Sequence, residues 1–214
     1  MTRPKITLRA GGATMALGAL CFATALGMSS GIAHSKPSTE IKVQRASLNV
    51  LAGHRASVSG AVASAPAGQR VSLQRRGGHG WQTIKRVSTR AGGAFTLRFR
   101  PSRSGSAKVR LAWGSVRRGL GHLNVYRRAA VSWYGPGLYG NALSCGGRLE
   151  PGTLGVAHKT LPCGSHVTLR RGHRVVRVTV VDRGPFVAGR EFDLTAATRA
   201  RLHFAGVGSV LVAS

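Results

Sequence analysis

The stretch "HRVVRVTVVDRGPF", residues 173–186, decides the reading of this chain. Valines 175, 176, 178, 180 and 181 form a nearly continuous apolar run, which reads as a buried strand. The run ends on Asp182, and Arg183, Gly184 and Pro185 then turn the backbone. "HVTLRR", residues 166–171, precedes it, so that Arg171, Gly172 and His173 join the two as a hairpin. The carboxylate is the surprise. The chain has 32 Lys plus Arg and only 5 Asp plus Glu, for a net charge of +27 over 214 residues. The acids are Glu40, Glu150, Asp182, Glu191 and Asp193. A carboxyl at the end of an apolar strand can protonate a leaving glycosidic oxygen. The plainer reading is a turn cap that accepts backbone N–H groups or pairs with Arg183.

Outward from this stretch the texture stays turn-rich. "SWYGPGLYGN" covers residues 132–141, "TLGVAHKTLPCG" 153–164, "GREFDLT" 189–195 and "GVGSVLV" 206–212. "DLTAATRARLHF", residues 193–204, is the one helix signal of this part, with Thr195 as cap, Leu202 inward and Gly206 as the stop. Tyr134 and Tyr139 sit among glycines, where their rings can stack on sugar faces, whereas Trp133 reads as core. Cys145 and Cys163 form an even pair once Cys21 is set aside. A bridge between them is worth roughly 3 kcal/mol in the chain-entropy model. The rival reading is a zinc site of Cys145, Cys163 and His166, which lacks a fourth ligand. The site is therefore read without a metal, and no cofactor motif is legible.

These motifs, in this order, resemble the double-psi β-barrel of the rare lipoprotein A family, kin to expansins and family 45 endoglucanases. The resemblance covers Val131–Ser214. It implies a six-stranded barrel with one short helix and a polysaccharide groove. It also implies activity on peptidoglycan, as in lytic transglycosylases that cleave between N-acetylmuramic acid and N-acetylglucosamine. Carried over by motif, Asp182 of "DRGP" and His158 of "AHKTLP" are the catalytic candidates, and Asp193 of "DL" joins the groove. Tyr134, Tyr139, Arg183 and Asp193 are the candidate substrate contacts. Each has a bland alternative: His158 as a loop histidine bonded to backbone, Asp193 as a fixture of the helix start or a partner of His158. One departure stands out. Catalytic relatives commonly carry a glutamate where this chain has Gly147. A protein lacking it is expected to bind glycan without cutting it, as expansins do, unless one carboxyl serves as both acid and base.

Residues 41–128 read differently. Seven short alternating strands, spaced by Gly-rich turns, predict a β-sandwich resembling the Ig-like segments of bacterial secreted proteins. Trp81, Phe95 and Phe99 are its expected core anchors, and Ala129 and Ala130 its linker to the barrel. The whole is thus all-β.

The N-terminus carries Arg3, Lys5 and Arg9, then no charge from Ala10 to Ala33, a secretory signal pattern with cleavage near Ala33. A retained anchor is the alternative reading. Leu20 before Cys21 argues against lipidation. Residues 1–33 are read as signal and 34–40 as a flexible segment. The expected location is the cell wall or periplasmic space. The charge implies anionic wall polymers as partners beside peptidoglycan. No nucleic-acid module is visible, and no stable membrane insertion is expected after signal removal. No oligomeric state is legible. Two functions compete: a lytic transglycosylase and a non-catalytic wall-binding protein.

Overall fold

The computed structural model describes residues 40–214, so the expected signal segment and residues 34–39 lie outside the described residues. Eight strands come first: β1 (Ile41–Ser47), β2 (Asn49–Leu51), β3 (Ala56–Val62), β4 (Arg70–Gly77), β5 (Gly80–Ser88), β6 (Ala94–Phe99), β7 (Gly105–Trp113) and β8 (Val116–Tyr134). β1, β3 and β6 form one antiparallel sheet. β5, β4, β7 and β8 form another, with β2 added in parallel to β8. Strict alternation along β3 turns Val58 and Val62 inward, where they meet Leu73, Leu97 and Leu111 from both sheets.

Three expectations need correcting here. The seven expected strands are eight, because the alternating stretch "IKVQRASLNV", residues 41–50, counted among the seven as one strand, splits at buried Leu48, so β1 pairs with β3 while β2 pairs with β8. Trp81 stands outside the core. It lies on the strand surface with the Arg110 guanidinium 4.1 Å from its ring centroid and Arg76 at 5.9 Å. Ala129 and Ala130 do not break the chain either. They continue β8, whose first half pairs with β7 and whose last residues pair with strands described next. Alternation explains the continuity, since Ala129 is buried and Ala130 exposed.

β9 (Gly155–His158), β10 (His166–Arg171), β11 (Arg174–Asp182), β12 (Phe192–Thr195), α1 (Ala196–Leu202) and β13 (Gly208–Ala213) complete the chain. With the end of β8 they close a six-stranded ring in the order β8, β12, β9, β11, β10, β13 and back to β8. Closure leaves no free sheet edge. Val131, Val156, Leu169, Val180, Leu194 and Val212 fill the interior. The valine run of β11 is less buried than its sequence suggests. Val178 and Val180 are core, whereas Val175 is 52% exposed, because this strand has one apolar face and one wet face. The helix starts as expected, with the Thr195 hydroxyl accepting from Thr198 N–H at 3.3 Å. It ends earlier than Gly206: His203 takes the left-handed conformation at φ 47° and closes the last turn. Among the described residues no helix is long and apolar enough to cross a membrane.

Candidate functional site

Asp182 owes its direction to an irregularity. β11 runs parallel to β9 with Val180 opposite Val156, but the register then shifts so that Asp182, not Val181, faces Ala157. A one-residue slip turns a side chain to the other face of a sheet. Asp182 therefore stands on the face opposite the buried Val180. Its Oδ1 accepts the backbone N–H of Ser144 at 2.9 Å and of Arg183 at 2.8 Å. The chain then leaves through a cis Gly184–Pro185 peptide, with Gly184 at φ 119°. Phe186 follows, 81% exposed.

Asp182 has charged company. Ala157 pairs with Asp182 on one side and with Asp193 on the other, and Asp193 pairs with Ser132 of β8. The four residues make a row across four strands, on one face. Ser132 Oγ donates to Asp193 Oδ1, and Asp193 neither caps α1 nor bonds His158. Tyr134, two residues beyond Ser132, shares that face. Its hydroxyl is buried, and its approach to Asp182 falls short of full hydrogen-bond geometry. Burial raises this phenol above its ordinary value, and the charges of Asp182 and Asp193 raise it further. Tyr134 thus offers a protonated hydroxyl between two carboxylates rather than an open stacking face. Tyr139 is the more exposed ring, at 38%, and its hydroxyl lies over Gly135.

His158 belongs to a neighbouring cluster. It is the next residue after Ala157 on β9, so it points to the other side and sits opposite buried Phe192, ring centroids 4.6 Å apart. Its Nδ1 accepts from Thr160 and Leu161 N–H at 3.1 and 3.0 Å. Its Nε2 lies 3.9 Å from Glu191, which in turn binds Arg127 through both carboxylate oxygens. Burial lowers the His158 pKa, Glu191 opposes that, and Arg127 and Arg183 add to the lowering. The imidazole is therefore neutral at pH 7, with Nδ1 accepting and the proton on Nε2. No hydrogen bond joins His158 to Asp182. Arg183 links them instead: its backbone N–H serves Asp182, while Nη1 donates to the carbonyls of His158 and Leu161 and Nη2 to Cys163 Sγ.

The Cys145–Cys163 disulfide is present, with Cα atoms 5.4 Å apart. Both halves of the bridged loop pair dock on the end of β11, where Cys145 N–H donates to Val181 and Gly164 N–H to Val180. Ser144, a donor to Asp182, is the residue next to the bridge. The disulfide thus fixes part of the carboxylate's setting. Gly147, in the same loop, has φ +78°, and no atom lies within 4 Å of the point a Cβ would occupy there. A glutamate at this position has room but meets backbone strain.

Residues 128–213 match the family model described as lytic transglycolase. This match supports the expected double-psi barrel over the segment that the structure shows as a closed ring. A "Probable endolytic peptidoglycan transglycosylase RlpA" of Synechocystis is 39% identical over 136 residues, 60% of this chain and 40% of the relative. The "Endolytic peptidoglycan transglycosylase RlpA" of Campylobacter jejuni is 40% identical over 84 residues, 38% of this chain and 30% of the relative. The "Probable endolytic peptidoglycan transglycosylase RlpA" of Aquifex aeolicus is 39% identical over 80 residues, 36% of this chain and 35% of the relative. This chain therefore spans two fifths or less of the length of these relatives.

Sequence reasoning missed Ser132, the Glu191–Arg127 pair and the Ser144 N–H. Ser132 was legible in principle, since it precedes Tyr134 by two residues in a strand. The other two depend on long-range pairing and left no local signal.

Proposed function

We propose that the barrel acts on the glycan strands of peptidoglycan as a lytic transglycosylase, outside the cytoplasm. The observation that carries this reading is the placement of Asp182 on a strand end, within a segment matching a lytic transglycolase model. The bond cleaved would join N-acetylmuramic acid to N-acetylglucosamine. Asp182 in its acid form gives its proton to the glycosidic oxygen as that oxygen leaves the muramic C1. The resulting carboxylate then takes the proton of the muramic C6 hydroxyl, whose oxygen bonds to C1. The products are a free N-acetylglucosamine end and a 1,6-anhydromuramic end, with Asp182 protonated again. No water is consumed, so one carboxyl suffices. Tyr134 donates toward the Asp182 carboxylate between the two steps, and Ser144 N–H holds the carboxylate's orientation. His158 acts at one remove, by fixing the 159–163 loop that Arg183 ties to Asp182. Phe186 and Tyr139 offer rings to the glycan.

Purified sacculi digested with the protein are expected to release anhydromuropeptides, detected by mass. Muropeptides with reducing muramic ends would point to hydrolysis instead. Their complete absence, with binding retained, would favour the second reading: a non-catalytic, expansin-like wall-binding protein. That alternative rests on Gly147 standing where the family resemblance implies a glutamate. In either case residues 41–128 serve as an Ig-like unit that holds the barrel to anionic wall polymers, and residues 1–33 as the export signal.

A further inference from the structure

A cavity of ≈ 560 Å³ is lined by residues of both N-terminal sheets, among them the apolar Ile84 and Phe99 and the cationic Arg75, Lys85, Arg100 and Arg103. Ser102 and Ser104 also line it. A second recess of ≈ 390 Å³ shares Phe99 and Arg100 and adds Arg55 and Arg98. These volumes lie in the range of small-ligand sites. Residues 41–128 contain eighteen Lys and Arg and not one Asp or Glu. Among the described residues, every ion pair involves Glu191 of the other half of the chain. The cavity's cations therefore converge with no carboxylate to neutralise them.

We propose that this cavity is a binding site for an anionic saccharide unit of a polymer. A pyranose ring has an apolar C–H face that suits Phe99 and Ile84. Its carboxylate or phosphate suits guanidinium forks, which bind such groups in bidentate fashion. Its hydroxyls suit Ser102 and Ser104. Two other polyanion classes fit less well. Among the described residues the exposed large apolar side chains all lie between Leu138 and Val207, so the sheets offer no wedge for a bilayer. Trp81 on the strand surface is not open to a base either, since Arg110 covers it. The choice of saccharide over nucleic acid leans on the wall reading above; the existence of the site does not.

The test uses the full chain and labelled probes: oligogalacturonate for carboxylates, mannan oligosaccharides bearing mannose 6-phosphate for phosphates, and dextran as the neutral control. Duplex DNA and anionic phosphatidylglycerol vesicles are run alongside. Arg100→Gln with Arg103→Gln is expected to weaken the bound anionic saccharide about tenfold or more. Arg117→Gln with Arg118→Gln removes the same charge elsewhere on the same sheets, and a loss below about twofold is expected. Ala107→Phe fills the cavity without changing charge and is expected to match the first pair. Whichever saccharide binds names the source of the anion. Equal losses in the two double variants would reduce the site to diffuse surface charge. Tighter binding of DNA or vesicles than of either saccharide would overturn the proposal, as would unchanged binding in a folded Ala107→Phe. Anhydromuropeptide release by the same variants is expected to stay unchanged, so failure of this site and failure of the barrel's proposed activity remain distinguishable.

Discussion

The two halves of this molecule treat charge in opposite ways. Residues 41–128 carry cations alone, set on the outward positions of alternating strands. The barrel half carries four of the five acids, and three of these have identified partners: Asp182 with two backbone N–H groups, Asp193 with Ser132, and Glu191 with Arg127 at the end of the first half. The first pattern suits attraction to any polyanion, with selectivity left to the shape of the cavity. The second suits chemistry, because a carboxylate with fixed donors has a fixed direction. A strand that runs through both halves makes them one continuous ladder at β8. The contrast also explains why composition alone is a poor guide here. The excess charge belongs mainly to the half that the family match does not cover.

The largest expected effect breaks the contrast at its sharpest point. Asp182→Asn is nearly isosteric but cannot supply a carboxylic proton. Cleavage of sacculi is expected to fall by about 10²-fold or more, while binding to purified wall changes by less than about twofold. Circular dichroism serves as the folding control. Full activity in this variant would return Asp182 to the role of a turn cap.

Second in size is the disulfide. Replacing Cys145 and Cys163 together by Ser is expected to cost about 2–5 kcal/mol of unfolding free energy, read by denaturant titration. Cleavage is expected to fall as well, since Ser144 loses its anchor beside Asp182. Anionic-saccharide binding by the N-terminal sheets is expected to persist under conditions where the protein stays folded. A variant that lost binding and cleavage together would show that the halves are less separable than their charge suggests.

Much of this was legible in the sequence because it is local. Period-two alternation marked β3 to β7, and the Thr195 cap and the bridge cysteines stood where expected. What escaped reading depends on partners distant in the chain. Nothing in "IKVQRASLNV" says that its two ends join different sheets. Trp81 looks like core until arginines from β4 and β7 are placed over it. The position of Asp182 needed the register shift against β9, and its company with Asp193 needed β12 on the far side of β9. The carboxylate itself was visible; its direction was not.

A smaller effect concerns Gly147, where a glutamate is expected from the family resemblance. Gly147→Glu has open space, yet a side chain at φ +78° costs about 1–2 kcal/mol. A thermal midpoint lowered by a few degrees is expected. Cleavage by the one-carboxyl route is expected to stay within about twofold of the native rate. A clear rise would show that a second acid limits the reaction and would move the mechanism to a pair.

The subtlest expectation is a pH dependence at His158, the residue that lies across the sheet from Asp182. Its folded pKa is lowered, chiefly by burial and then by Arg127 and Arg183, against the pull of Glu191. The folded state therefore binds fewer protons than the unfolded chain between that lowered value and the ordinary value of about 6.5. The associated stability is full above about pH 6.5 and is lost as pH falls through the folded pKa. His158→Asn removes the titration while keeping an oxygen near Nδ1 to accept the Thr160 and Leu161 N–H groups. The native protein's thermal midpoint is expected to drop more steeply between pH 7 and pH 5 than that of the variant. Parallel slopes would mean that the imidazole is not the group that senses acid. If His158 acts only by holding its loop, the Asn variant should also keep most of its cleavage at pH 7. A loss there as deep as that of Asp182→Asn would place the ring in contact with substrate, on a face the sheet register does not give it.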